Sequence, residues 1–193
     1  MSRGRPRCFD EQEALDAAMQ VFWEKGYAGT SCDDLLTAMK MNSGSMYCAF
    51  GDKEKLYAKA LQHYTRQRFG KLLQILETDA PPLDRLRKLM TAVGNHMCHA
   101  ESRGCFVVNT LVDSQEHSPQ SEMARQALLQ LQQAIEDTLK EARKSGDLTN
   151  PLRPAELSAL LSSTLQGINL MSRTQTDEKV IKGAVKAVLT LLY

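Results

Sequence analysis

Residues 26–61 read GYAGTSCDDLLTAMKMNSGSMYCAFGDKEKLYAKAL. Thr30 and Ser31 offer an N-cap for a short helix carrying Leu35, Leu36 and Met39. Lys40, Met41 and Asn42 then form a three-residue turn. A second short helix follows with Met46 and Phe50 at i, i+4, until Gly51 stops it. Two short helices joined this way make a helix-turn-helix pattern. On the second helix Gly44, Tyr47 and Cys48 fall at i, i+3, i+4, opposite Met46 and Phe50. That outward face has no long apolar side chain other than an amphipathic tyrosine, which suits the major groove of double-stranded DNA. Its glycine and serines permit close approach, and the Tyr47 hydroxyl can donate to a phosphate. The spacing alone is equally that of a helical hairpin packed as scaffold.

Outward from this stretch, the chain reads as helices separated by short breaks, with no strand pattern. Asp10, with Glu13 three residues on, caps a first helix whose face carries Leu15, Ala18, Met19 and Phe22 until Gly26 ends it. Asp52 caps a long fourth helix through Leu56, Ala60, Tyr64, Leu72 and Leu76. Pro81 and Pro82 open a helix reaching about Glu101, and Ser102-Arg103-Gly104 break it before a short apolar one from Cys105 to about Val112. Ser118-Pro119 start a long helix closed by Gly146; the last two run from about Pro154 to Arg173 and from Asp177 to Leu192. The expected fold is all-α with about nine helices.

At 193 residues, 42% hydrophobic and 24% charged, the chain has an ordinary globular composition that excludes collagen-like, mucin-like and wholly disordered readings. Apolar runs are too short for a membrane-spanning helix. The opening MSRGRPRCFDEQEALDAA meets acids where a secretory signal needs an apolar stretch, so a cytoplasmic protein is expected. Five cysteines, odd in number and irregularly spaced, read as reduced thiols. The net charge of +1 hides a basic arm: Arg3, Arg5 and Arg7 have no acid beside them. Affinity for polyanions must therefore be local.

The run from Gly26 to Leu61 resembles the N-terminal domain of TetR-family transcriptional regulators: glycine-tyrosine ahead of Thr30-Ser31, then Ser43-Gly44-Ser45, Tyr47 and Phe50, then Gly51-Asp52-Lys53 and Leu56. The resemblance is specific in order and spacing over about the first 65 residues. It implies an N-terminal three-helix DNA-binding head, a C-terminal helical body that receives a small-molecule effector, and homodimerisation through the last two helices. On that resemblance Ser45, Tyr47 and Lys53 match phosphate contacts, Ser43 and Gly44 match groove-facing positions, and Thr30 and Ser31 set a helix N-terminus against phosphate. Cys48 and Ala49 depart from the aromatic residues or histidine often found there. Arg3 and Arg5 would reach an adjacent minor groove. The expected division is residues 1–8 as a basic flexible arm, 9–52 as the head and 53–193 as the body.

Within the body, Leu157, Leu161, Leu165 and Ile168, continued by Val185 and Val188, give an apolar face assigned to the dimer interface. An effector cavity is expected near His96, Met97, Cys105, Phe106, Asn109, Gln166 and Asn169, suited to an uncharged or weakly acidic small molecule. Rival readings are weaker. His96, Cys98, His99 and Cys105 are competent metal ligands, but their spacing is unlike paired zinc knuckles, so no metal or cofactor is expected. No Cys-x-x-Cys pair, paired carboxylates, phosphate loop or serine elbow supports an enzyme such as a helical thiol peroxidase. The nine methionines can form an adaptable protein-binding surface, though helical spacing favours core or cavity. If the protein senses oxidants, Cys105 after Arg103-Gly104 is the candidate sensor and Cys48 the thiol whose modification blocks DNA. The neighbours Phe106, Val107 and Val108 point instead to a buried thiol.

Overall fold

The computed structural model describes residues 9–98, 103–113, 118–174 and 176–192. Among them there are nine helices and no strand. Helix α1 spans Glu11–Gly29, α2 Cys32–Ala38 and α3 Ser43–Phe50. Helix α4 comprises three consecutive segments, Lys53–Tyr64, a π-helical Thr65–Phe69 and Gly70–Leu76. Then come α5 (Pro82–Met97), α6 (Phe106–Asp113), α7 (Pro119–Ser145), α8 (Pro154–Arg173) and α9 (Glu178–Thr190).

Local chemistry explains most boundaries. Asp10 Oδ1 accepts the Gln12 and Glu13 amides at 2.7 and 3.2 Å and starts α1. The helical path breaks at Gly26 (φ 69°), as expected, and one further turn carries α1 to Gly29. Ser31 closes a full capping box with Asp34 at the head of α2, while Asn42 Oδ1 accepts the Ser45 amide at 2.9 Å to start α3. Gly51 leaves α3 at φ 82°, and Asp52 caps α4 through the Lys55 amide at 2.8 Å. Ser118 with Pro119, and Gly146 at φ 86°, bound α7. The described part of α5 ends at Met97, short of the expected Glu101; residues 99–102 lie outside the described set.

The π-helical turn in α4 was not legible in the sequence. There the Thr65 hydroxyl bonds Leu61 O at 2.8 Å, an alternative to the backbone ladder, and the Gly70 amide reaches Thr65 O.

Helices α1–α3 wrap Ala18, Met19, Phe22, Leu35, Met46 and Phe50 around the first turns of α4. The rest of the chain buries Leu86, Leu89, Met90, Ile135, Leu139 and Leu161 in the same continuous core. An aromatic ladder joins the two: Phe22 to Tyr57 (4.9 Å), Tyr57 to Phe106 (5.4 Å), Phe106 to Tyr64 (5.7 Å) and Tyr64 to Trp23 (5.1 Å), all near edge-on. The Tyr57 and Thr110 hydroxyls meet at 2.9 Å inside it. Buried Arg85 donates to Leu76 O at 2.6 Å, taking an orphan carbonyl at the end of α4, and pairs with Glu141 of α7. Among the described residues no helix is long and apolar enough to cross a membrane.

Candidate functional site

On α3 the division of faces is as expected. Met46 and Phe50 are fully buried, whereas Ser43, Gly44, Tyr47 and Cys48 are exposed and Ser45 is half-buried. The turn before α3 contains Lys40 in a left-handed conformation (φ 51°), the only non-glycine there among the described residues. No glycine marks that turn in the sequence. Lys59 reaches back from α4 to donate to Ala49 O at 2.9 Å, and Lys25 of α1 pairs with Asp34 of α2 at 2.6 Å. These ties fix α2 and α3 on the α1–α4 frame.

Tyr47 is half exposed, and its hydroxyl lies beside the thiol of Cys32, the first residue of α2. Cys32 is the first cause holding the phenol above its ordinary pKa, followed by burial and Asp52. Lys53, the first residue of α4, holds its ammonium 4.4 Å over the ring of Tyr27. Tyr27 is thereby a positioning platform that sequence reasoning missed; the glycine-tyrosine pair was read only as a motif. Ser31 is exposed, but its hydroxyl donates to Asp34 Oδ2 at 2.8 Å and accepts the Asp34 amide at 3.0 Å. Thr30 is a correction: it is 2% exposed and its hydroxyl donates to Gly26 O at 2.6 Å, so it braces the α1–α2 corner instead of facing a phosphate. Arg3 and Arg5 lie outside the described residues.

The second candidate is a cavity of about 260 Å³ walled by α4, α5, α6, α7 and α8. His96, Met97, Cys105, Gln166 and Asn169 line it, as expected. Two others do not. Phe106 is fully buried in the aromatic ladder, and Asn109 is engaged elsewhere, donating to Arg103 O before α6 at 2.9 Å and accepting from Arg173 at the end of α8 at 3.3 Å. Gly104 (φ 75°) lets the chain pass against Asn169, whose Oδ1 accepts the Cys105 amide. The sequence reading also missed Tyr64, Arg68, Leu72 and Ile75, which share the cavity face of α4 at helical spacing, and Ser162 of α8. The walls are mostly apolar, but Arg68 and Lys71 make the lining more cationic than expected for an uncharged ligand.

For Cys105 the structure agrees with the buried thiol to which Phe106, Val107 and Val108 point, and not with a sensor. Cys105 is buried, and burial pushes its pKa up, opposing the thiolate that a sensor at a helix start would need. Cys98 is also pushed up by burial, and its Sγ points to Glu178 O. Among the described residues no three of His, Cys, Asp and Glu group to hold a metal ion; His99 lies outside that set.

The six side chains expected at a dimer interface are inside the subunit. Leu157, Leu161 and Ile168 are about 1% exposed, Leu165 lines the cavity wall, and Val185 and Val188 pack inward. Val185 lies against Gly94 of α5, where an added Cβ would come within 2.8 Å of Cγ2. The breadth of the apolar face reflects contacts to several helices of one chain. The opposite faces are exposed: Leu160, Ser163, Gly167 and Leu170 on α8, and Val180, Gly183 and Ala187 on α9.

Residues 14–60 match the family model "Bacterial regulatory proteins, tetR family", and residues 82–188 match "Tetracyclin repressor-like, C-terminal domain". The chain is 27% identical to the HTH-type transcriptional repressor ComR of Escherichia coli, over 89% of this chain and 83% of that one. It is 26% identical to the uncharacterized HTH-type regulator YezE of Bacillus subtilis, over 98% and 99% respectively. Among solved structures it superposes on a cysteine-substituted form of the regulator CifR complexed with a 26-base-pair operator DNA, with a TM-score of 0.82 and 28% identity over 98% of this chain and 100% of that one.

Proposed function

Because the chain belongs to the TetR family and is a DNA-binding transcriptional regulator, we propose that it acts as a homodimeric repressor, released from its operator in the cytoplasm by a small-molecule effector. One observation carries this reading: α4 serves both sites. Its first turns seat α3 and present Lys53, and its later turns wall the cavity. A ligand that favours one position of α4 therefore favours one position of the recognition helix. In a dimer this changes the spacing of two α3 helices against half-sites separated by whole turns of DNA.

Ser43, Gly44, Tyr47 and Cys48 meet the groove in this reading, with Ser45, Tyr47, Lys53 and the exposed cap at Ser31 along the phosphates. Arg3 and Arg5 add minor-groove contacts. The operator-bound CifR structure supports DNA as the partner. Dimerisation uses the exposed faces of α8 and α9, where Gly167 and Gly183 permit close approach between Leu160, Leu170 and Val180 of two copies.

The test is operator binding against salt. Lys53→Ala should weaken binding to all sequences alike and lower the salt slope by about one counterion, whereas a changed sequence preference at unaltered slope would overturn the phosphate role. Sedimentation of Leu170→Glu should show a folded monomer; a folded dimer would overturn the interface.

A further inference from the structure

The cavity holds polar groups that its apolar walls do not explain. Ser162 is 9% exposed, and its hydroxyl faces no hydrogen-bond partner among the described residues although it lines the cavity. A buried hydroxyl left without a partner is unfavourable, and a ligand atom can satisfy it. On the facing helix, Arg68 and Lys71 line the same cavity at i, i+3 spacing, and neither forms an ion pair with a described residue. Among the described residues no Asp or Glu lines the cavity. The Arg68 charge is felt inside it, acting against burial at both the Tyr64 phenol and the Cys105 thiol.

We propose that the effector is a small amphipathic monoanion, a carboxylate whose head pairs with Arg68 and Lys71, whose polar edge meets the Ser162 hydroxyl, and whose hydrocarbon body fills the apolar remainder. This rests on reading the cavity as the effector site. The balance of the lining decides the class: two cations and one hydroxyl serve a carboxylate head, and the mostly apolar remainder of the walls suits a hydrocarbon body rather than a second charged group. The volume of about 260 Å³ lies at the small end for ligand pockets, which sets the size class. Arg68 also lies within the π-helical turn Thr65–Phe69. An anion drawn to it engages α4 where the helical hydrogen-bond ladder is irregular, joining recognition of charge to movement of the helix that seats α3.

The test compares hexanoate with 1-hexanol, matched in chain length, by calorimetry on the full chain. Hexanoate should bind about tenfold more tightly. Arg68→Gln combined with Lys71→Gln, both at exposed positions, should abolish that advantage while hexanol still binds, and Ser162→Ala should weaken hexanoate without lowering the melting temperature. Val93→Trp, which fills the cavity, should remove binding of both. Equal or tighter binding of hexanol, or an advantage that survives loss of both Arg68 and Lys71, overturns the carboxylate assignment. If hexanol binds without preference and is lost in Val93→Trp, the cavity reading stands while the anion assignment falls. Hexanoate binding that survives Val93→Trp overturns the cavity reading itself. Binding of neither compound by the folded protein overturns the assignment.

Discussion

The DNA-facing helices and the cavity walls are held by different kinds of contact. Around α2 and α3 the helix ends are fixed at short range by Ser31 with Asp34, Asn42 with Ser45, Asp52 with Lys55, and Gly51 at positive φ, and the ties to α1 and α4, Lys25 with Asp34 and Lys59 with Ala49 O, span no more than ten residues. Around α6 and the cavity wall beside it they are long-range: Tyr57 with Thr110 in the aromatic ladder, Arg103 with Gln20 of α1, and the Cys105 amide with Asn169 at the cavity. Short-range fixtures shape a helix even when its neighbours shift, so the recognition helix can move as a unit. Long-range fixtures tie the body's shape to what fills it.

The largest test of this contrast is at the ladder joining the two regions. Phe106→Ala removes a fully buried ring flanked by Tyr57 and Tyr64 and should cost about 3–5 kcal/mol. Denaturant unfolding followed by Trp23 fluorescence and by helix content should shift as one transition. Separate transitions would mean that the head is independent of the body.

Two glycines sharpen the comparison. Gly51 and Gly104 both have positive φ, at 82° and 75°. A Cβ on Gly51 meets the movable end of Lys55 at 2.8 Å, so Gly51→Ala should cost about 1–2 kcal/mol from the backbone alone. A Cβ on Gly104 meets Asn169 Oδ1 at 2.8 Å and Arg173 Cγ at 2.9 Å. Gly104→Ala should therefore cost more, about 2–4 kcal/mol, and disturb ligand binding as well. Equal losses on thermal denaturation would remove the distinction between local and long-range fixtures.

Asn42→Ala should cost about 1 kcal/mol through loss of the α3 cap. Operator affinity should fall while binding in the cavity is unchanged. A parallel loss of ligand affinity, read by calorimetry, would show that α3 and the cavity are more tightly coupled than their contacts imply.

The smallest effects come from pH and have opposite signs in the two regions. Hydrogen bonds from Lys25 and Ser31 hold the Asp34 carboxyl well below its ordinary range, and the Lys55 amide lowers Asp52. Depressed carboxyls contribute stability above about pH 4, and it is lost as pH falls toward their folded values. Burial raises the Cys105 thiol and the Tyr64 phenol. Their contribution is complete below the unfolded values of about 8.5 and 10 and declines as pH rises past them. Amide exchange should speed first in α2 and at the start of α4 on acidification, and first around α6 on alkalinisation. The reverse order would contradict the assignment.

Legibility follows the same line. Asp10, Ser31, Asn42, Asp52, Ser118 and Gly146 sit at helix ends where their side chains or conformations are needed, so the helices and the outward face of α3 could be read from local residues. The π-helical turn could not, because threonine within a helix usually leaves the ladder intact. Phe106 and Asn109 looked like cavity residues by proximity, yet the ring was taken by the aromatic ladder and the amide by Arg103 and Arg173.

By itself the sequence determined the helical class, the order of elements, the helix-turn-helix and the residues its outer face presents. Each depends on period and capping within a few residues. Only the tertiary structure decided which apolar face of α8 and α9 belongs to the subunit, that Thr30 is a brace, and that Arg68, Lys71 and Ser162 share one cavity. A helical pattern reveals that a face is buried but not against what. The partner is set by packing between segments far apart in the chain, here α4 and α8, which wall one cavity although α5, α6 and α7 lie between them in the sequence.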